Sequence, residues 1–162
     1  RIYSEEGVGT TINLVLPRGT KAGAREAPMP LSTPIAGTGQ TILLVEDEVN
    51  LLIVMVEVLV DLGFHVLQAH SGNEALELIE AGAKFDVLLT DVVMPGKIGG
   101  FELAREVRAR IPDMPVIYIS GYTGFTPQEM GEVQAPILQK PCPPVELAAA
   151  LHEALSSEPL PA

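Results

Sequence analysis

The sequence predicts an α/β fold, a doubly wound five-stranded parallel sheet with helices on both faces, and three observations predict it. From residue 41 onward, short apolar runs alternate with longer helix-patterned segments, which is the pattern of βαβ units. Hydrophobic residues make up 47% of the chain while aromatics make up 4% and Trp is absent, so the core is aliphatic and suits strands buried on both faces. Four of the apolar runs end in a reactive polar residue, as expected where parallel strands deliver side chains to one edge of a sheet.

The elements follow in order. Ile42-Leu43-Leu44-Val45 is the first strand and ends at Glu46-Asp47. Asn50 to Leu62 alternates Val54, Val56, Val58 and Val60 as a strand would, but its length and the Gly63 stop favour a helix. Phe64 to Ala69 is the second strand. Ser71-x-x-Glu74 is a capping box that opens a helix to about Ala81, stopped by Gly82. Asp86 to Thr90 is the third strand and delivers Asp91. After Met94-Pro95-Gly96, a helix face is expected at Phe101, Ala104, Val107 and Ile111, with Pro112 as its end. Val116 to Ile119 is the fourth strand and ends at Ser120. Gly121, Gly124, Pro127 and Gly131 leave room for a helix of only about two turns beyond it. Ile137 to Gln139 is a short fifth strand ending at Lys140, and Pro143-Pro144 starts a last helix carrying Leu147, Leu151 and Leu155.

Upstream, Thr11 to Pro17 reads as one strand with Ile12, Leu14 and Leu16 on one face. A lone strand cannot bury that face, so it is expected to belong to a larger sheet. Gly7-x-Gly9 before it reads as a turn. Arg18 to Gln40 holds four Gly and three Pro without periodicity, a flexible linker. The expected division is a terminal strand in 1–17, a linker in 18–40, the α/β domain in 41–157 and a tail in 158–162. The chain begins at Arg1 without Met, which suggests a fragment of a longer protein.

Charge narrows the functional classes. The formal net charge is −11, and residues 41–162 carry six Lys/Arg against eighteen Asp/Glu. So acidic a domain repels phosphate backbones, which argues against nucleic acid as a partner. One cysteine, Cys142, excludes an internal disulfide and suits a reducing, cytoplasmic setting. The longest apolar stretch, Leu51 to Val56, is too short to span a bilayer, so no direct membrane contact is expected, although a parent chain could carry an anchor upstream.

Taken in the order 2-1-3-4-5, the flavodoxin-like arrangement, the strands place Glu46, Asp47 and Asp91 side by side. Three adjacent carboxylates repel one another and need a counter-ion. Mg²⁺ suits them, because it takes oxygen ligands and keeps several waters. Asp47 and Asp91 would bind it directly, Val93 through its backbone carbonyl and Glu46 through water. An aspartate so placed can act as a nucleophile toward phosphorus, with the metal and the Lys140 ammonium neutralising the transferring group. The Ser120 hydroxyl can donate to a phosphoryl oxygen only once that oxygen arrives, so Ser120 would report the modified state. His65, His70 and His152 show no ligand spacing and read as surface residues. The helix Leu51 to Val60 is more apolar than one buried stripe needs, and part of it could be a docking face for a pair of kinase helices.

These residues carry a family resemblance. The segment from about Thr41 to Leu155 resembles the receiver domain of two-component response regulators, on Val45-Glu46-Asp47-Glu48, Leu89-Thr90-Asp91-Val92-Val93-Met94-Pro95-Gly96, Ser120-Gly121-Tyr122 and Lys140-Pro141. The resemblance implies that Asp91 accepts a phosphoryl group from a kinase histidine with Mg²⁺, and that Lys140-Pro141 is cis. The donor it implies is the dimerisation and phosphotransfer domain of a histidine kinase, or a histidine phosphotransfer protein. In two places the chain departs from the family. Ile137 stands where a Tyr or Phe usually precedes the lysine by three, and the region after Ser120 is short.

A second resemblance lies upstream. Tyr3-Ser4-x-x-Gly7-x-Gly9-Thr10-Thr11-Ile12 through Leu16-Pro17 is similar to the last strand of a sensor histidine kinase ATP-binding domain. Together the two imply the C-terminal part of a hybrid histidine kinase. That kinase would be ATP-dependent, but this stretch lacks the parts that hold ATP. Two rival classes share some of these features. A haloacid-dehalogenase-like phosphatase also uses a strand-end Asp, but wants a second acid where Val93 stands. A protein-interaction module with the same fold would bind no Mg²⁺ and accept no phosphoryl group.

Overall fold

A computed structural model of the chain describes residues 2–5, 7, 9–13, 37, 39–122, 124–131 and 133–156. Leu14, Leu16, most of the expected linker and the tail 158–162 lie outside these residues. The chain divides into two compact units, Arg1–Leu31 and Ser32–Ala162.

In the first unit, β1 (Ile2–Glu5) pairs antiparallel with β2 (Gly9–Ile12), in the register Ile2↔Ile12 to Glu5↔Gly9. Of the strand expected over Thr11 to Pro17, Thr11 and Ile12 are in a strand, and it is paired rather than alone; residues 14–17 lie outside the described residues. The described strand starts earlier, and its partner is the preceding segment, brought back through Gly7 at φ +79°. Ser4 and Thr10 join their hydroxyls across the pair at 2.8 Å. Ile2 and Tyr3 stay exposed, at 74% and 63%.

The second unit is the doubly wound sheet. Its strands are β3 (Thr41–Val45), β4 (His65–Ala69), β5 (Val87–Asp91), β6 (Val116–Ser120) and β7 (Ile137–Gln139), all parallel, in the order β4-β3-β5-β6-β7. Counted from β3, this is the expected 2-1-3-4-5. The helices are α1 (Val49–Asp61), α2 (Gly72–Glu80), α3 (Gly100–Arg110), α4 (Pro127–Met130) and α5 (Pro144–Ser156). Successive strand residues point to opposite faces, so β3 sends Ile42 and Leu44 to one core and Leu43 and Val45 to the other. The first core holds Leu52, Met55 and Leu59 of α1 with Leu147 and Leu151 of α5, and the second holds Ala75 of α2 with Leu103, Ala104 and Val107 of α3. Every residue of β5 and β6 is buried, which is why these strands read as unbroken apolar runs.

The ambiguous valine-rich segment is helical because Leu52, Met55 and Leu59 recur at helical spacing against the sheet. Leu62 closes the helix, and Gly63 takes φ +88°, a conformation that a side chain would strain. The capping box forms as expected at one end: Ser71 Oγ accepts from the Glu74 N–H at 3.2 Å, while Glu74 Oε2 accepts from the His70 N–H at 2.6 Å.

Three boundaries differ from expectation. On α3 the buried residues are Gly100, Leu103, Ala104 and Val107, whereas Ile111 lies beyond the last turn and is 38% exposed. The helix after Ser120 is one turn, not two, because the glycines around it stop propagation. Gly37 and Gln40, expected in the linker, are bonded to the domain: the Gly37 N–H donates to Leu62 O at 2.6 Å, and Gln40 O accepts from the His65 N–H at 2.9 Å.

Candidate functional site

Parallel pairing places the carboxyl ends of β3, β5, β6 and β7 along one edge, and the polar residues ending those strands meet there. Glu46 and Asp47 follow β3, Asp91 ends β5, Ser120 ends β6 and Lys140 follows β7. Lys140 Nζ donates to Glu46 Oε2 at 2.7 Å and to Asp91 Oδ2 at 2.6 Å, joining residues 94 and 49 positions away in sequence. Glu46 is 2% exposed and Asp91 9%. The remaining carboxylate oxygens are also engaged, Glu46 Oε1 by the Glu48 N–H at 3.3 Å and Asp91 Oδ1 by the Val93 N–H at 3.2 Å. The Lys140–Pro141 peptide bond is cis, as expected.

The electrostatics follow from burial and this pairing. Desolvation holds the Glu46 carboxyl above its ordinary range, although the Lys140 ammonium pulls the other way. Burial pulls Lys140 down, but its hydrogen bonds and charge attraction to Asp91 and Glu46 outweigh that, so its net shift is upward. The lysine stays charged.

The residues present fit a hard divalent cation. Glu46, Asp47 and Asp91 each offer a carboxylate oxygen, and these oxygens lie within 4.8 Å of one another. Oxygen-only donors match Mg²⁺ better than a soft transition metal. Ser120 is 1% exposed; its Oγ accepts from the Tyr122 N–H at 3.1 Å and its carbonyl accepts from the Lys140 N–H at 2.8 Å. Glu46, Asp47, Asp91 and Lys140 therefore meet at one edge, with Ser120 at the end of the neighbouring strand and Val93 two residues beyond Asp91. The three histidines are exposed and outside the acidic cluster.

One contributor was not expected from sequence. Gly100, the first residue of α3, packs so tightly that an added Cβ would collide with the Asp91 carbonyl and come within 2.9 Å of Val92 Cα. The Gly99-Gly100 pair was the available signal. A cleft of about 390 Å³ lies at the opposite edge of the sheet, lined by Arg108, Pro115, Gln134 and Glu153 among others, and includes none of the site residues.

Comparison with known proteins agrees with this fold. The model of the response regulator receiver domain matches residues 42–152. The chain belongs to the receiver domain family of two-component signalling. It is 35% identical to the sensor kinase CckA of Brucella abortus (strain 2308), across 96% of this chain and 17% of that protein. The chain thus spans only about a sixth of that relative's length. A response regulator receiver protein from Sinorhizobium medicae WSM419 superposes with TM-score 0.69 at 34% identity, covering 74% of this chain and 97% of the other. A receiver domain from the hybrid histidine kinase CckA superposes with TM-score 0.61 at 36% identity, covering 72% of this chain and 99% of the other.

Proposed function

We propose that this receiver domain accepts a phosphoryl group on Asp91 from a phosphohistidine of a histidine kinase or a histidine phosphotransfer protein. The observation that carries the reading is Lys140 Nζ, held at 2.6 Å from Asp91 and 2.7 Å from Glu46 at the open edge of the sheet. A carboxylate oxygen of Asp91 attacks phosphorus, the P–N bond breaks, and the departing imidazole nitrogen takes a proton. The Lys140 ammonium, anchored by its second bond to Glu46, stays within reach of the phosphoryl oxygens as negative charge moves onto the site. Glu46, Asp47, Asp91 and the Val93 carbonyl would hold Mg²⁺, which when bound neutralises charge on the transferring group. Ser120 donates its hydroxyl to a phosphoryl oxygen once the group has arrived.

A protein donor fits the surface around the site. Val49 opens α1 two residues after Asp47, Val145 lies in the first turn of α5, and Val93 follows Asp91 by two. They are 55%, 52% and 67% exposed, and Ile53 extends the patch along α1 at 51%. Apolar side chains ringing a charged centre suit a helical partner that must bring a histidine to Asp91. The aligned sensor kinase, which covers nearly the whole chain, supports a hybrid kinase as parent, with residues 1–17 as the end of its ATP-binding domain. Such a domain works where ATP and the kinase are, in the cytoplasm. Among the described residues no helix is long and apolar enough to cross a membrane.

Mass spectrometry after acetyl phosphate and Mg²⁺ tests the reading. The wild type gains one phosphoryl group and Asp91→Ala gains none. Equal labelling of both, or of neither, overturns it.

A further inference from the structure

The phosphoacceptor reading leaves open how the rest of the domain senses the modified site, since Ile137 occupies the position of the usual aromatic reporter. The structure places aromatic rings elsewhere. Tyr118 is the register partner of Ile137 on the adjacent strand β6, and it is fully buried. Its ring meets Phe101 of α3 edge-on, with centroids 4.9 Å apart. Phe101 in turn meets Phe125 at 5.2 Å, and Phe125 meets Tyr122 at 5.1 Å, again edge to face. Four rings thus form a continuous chain from the loop after β6, across α3, back into the sheet. The inner end is anchored by the Tyr118 hydroxyl, which donates to Val133 O at 3.3 Å.

The outer end is tied to the site. The Tyr122 N–H donates to Ser120 Oγ at 3.1 Å, so the hydroxyl expected to turn toward a phosphoryl oxygen is the same atom that holds the start of the ring chain. Tyr122 folds back over Gly124 so closely that a Cβ there would collide with its hydroxyl oxygen and sit 2.6 Å from Cζ. The packed position of the ring therefore depends on a missing side chain at 124. Tyr122 is nonetheless 59% exposed, held on its inner side by one edge contact and by its backbone, and the following α4 is a single turn. An outward swing costs little burial.

We propose that Tyr122, Phe125, Phe101 and Tyr118 form a ring relay that replaces the missing reporter at Ile137. When Ser120 turns to the phosphoryl group on Asp91, the Tyr122 N–H loses its acceptor. The Tyr122 ring leaves Phe125, and the change is expressed on the surface shared by α3 and α4. Edge-to-face pairs are weak individually, so the exposed end, Tyr122, is the one that moves, while Tyr118, buried and hydrogen-bonded through its hydroxyl, stays in place.

The relay rests on the phosphoacceptor reading, and one experiment separates the two. The 162-residue chain, ¹³C-labelled on its three tyrosines and four phenylalanines, is titrated with Mg²⁺ and beryllofluoride as the phosphoryl analogue, and bound fluoride is followed by ¹⁹F NMR. The expected result is a new set of Tyr122 and Phe125 resonances and loss of the Tyr122–Phe125 contact, with Tyr3 unmoved. Ser120→Ala, which removes the acceptor of the Tyr122 N–H outright, should still bind beryllofluoride but show the released Tyr122 signals before any ligand is added, with no further movement on binding. Gly124→Ala should lose the Tyr122–Phe125 contact without any ligand. Bound fluoride with unmoved Tyr122 and Phe125, or wild-type Tyr122 signals in ligand-free Ser120→Ala, overturns the relay alone. Absence of bound fluoride overturns the phosphoacceptor reading and the relay with it.

Discussion

Replacing Lys140 by methionine removes the ammonium from the acidic edge while keeping the length and apolar stem of the side chain. In the wild type that ammonium sits 2.6 Å from Asp91 Oδ2 and 2.7 Å from Glu46 Oε2, with side-chain exposures of 20% for the lysine, 10% for Asp91 and 2% for Glu46. Removing one partner of a buried ion pair costs about 3–5 kcal/mol, because the other charge stays buried without compensation. Two effects lower that figure here: the lysine is partly solvated, and Glu46, already shifted upward by burial, can take a proton. The expected loss is roughly 2–3 kcal/mol at neutral pH, a large part of a domain stability of about 5–15 kcal/mol. Urea unfolding followed by circular dichroism, with EDTA and then with Mg²⁺, measures it. The gap should narrow with Mg²⁺, since a cation among the three carboxylates supplies the missing charge. It should also narrow on acidification. Without its ammonium Glu46 has a still higher folded pKa, so protonation favours the variant's fold as pH falls through that value toward the ordinary 4.5. An equally stable variant in EDTA would refute the reasoning, and a gap indifferent to both Mg²⁺ and pH would assign the loss to packing.

Three further outcomes are expected. Gly100→Ala should lower the urea midpoint strongly, because the new Cβ meets the backbone of Asp91 and Val92 rather than a movable side chain, and it should also slow labelling of Asp91 by acetyl phosphate; a neutral midpoint would show that α3 can shift freely. Ser71→Ala removes the acceptor for the Glu74 N–H and should cost about 1 kcal/mol in thermal or urea unfolding, with no effect on labelling. The Tyr118 hydroxyl is pushed up to about 12 by burial, so its tyrosinate absorbance should lag in an alkaline titration. The acid is held neutral in the fold, so the unfolded chain loses this proton first as pH passes about 10. Stability should then fall between about pH 10 and 12 by up to roughly 2–3 kcal/mol, and a Tyr118→Phe variant that keeps the same slope there would count against this origin.

Much of the fold could be read before the structure, for identifiable reasons. β3, β5 and β6 are buried on both faces, so they appear as unbroken apolar runs whose ends mark the site. Ser71 and Glu74 form a local cap that needs only four residues to be recognised. The errors fall where local signals are weak. Ile111 matches the spacing of the α3 face, but the helix ends one residue earlier. The strand over Thr11 to Pro17 looked unpaired because Ile2 to Glu5 is short and carries no periodic signal. Gly100 escaped notice because a close approach between α3 and the Asp91 carbonyl leaves no trace in composition.

The sequence alone determined the alternating α/β class, the identity of the strand-end residues and the absence of an aromatic at position 137, because each depends on residue type and local spacing. The tertiary structure decided what those residues touch. Lys140 reaches Glu46 and Asp91 only because parallel pairing brings residues 94 and 49 positions apart to one edge. The ring chain from Tyr122 to Tyr118 exists only because α3 sets Phe101 between a loop and a strand. Contacts of that kind depend on how elements pack across the sheet, and no window of sequence contains them.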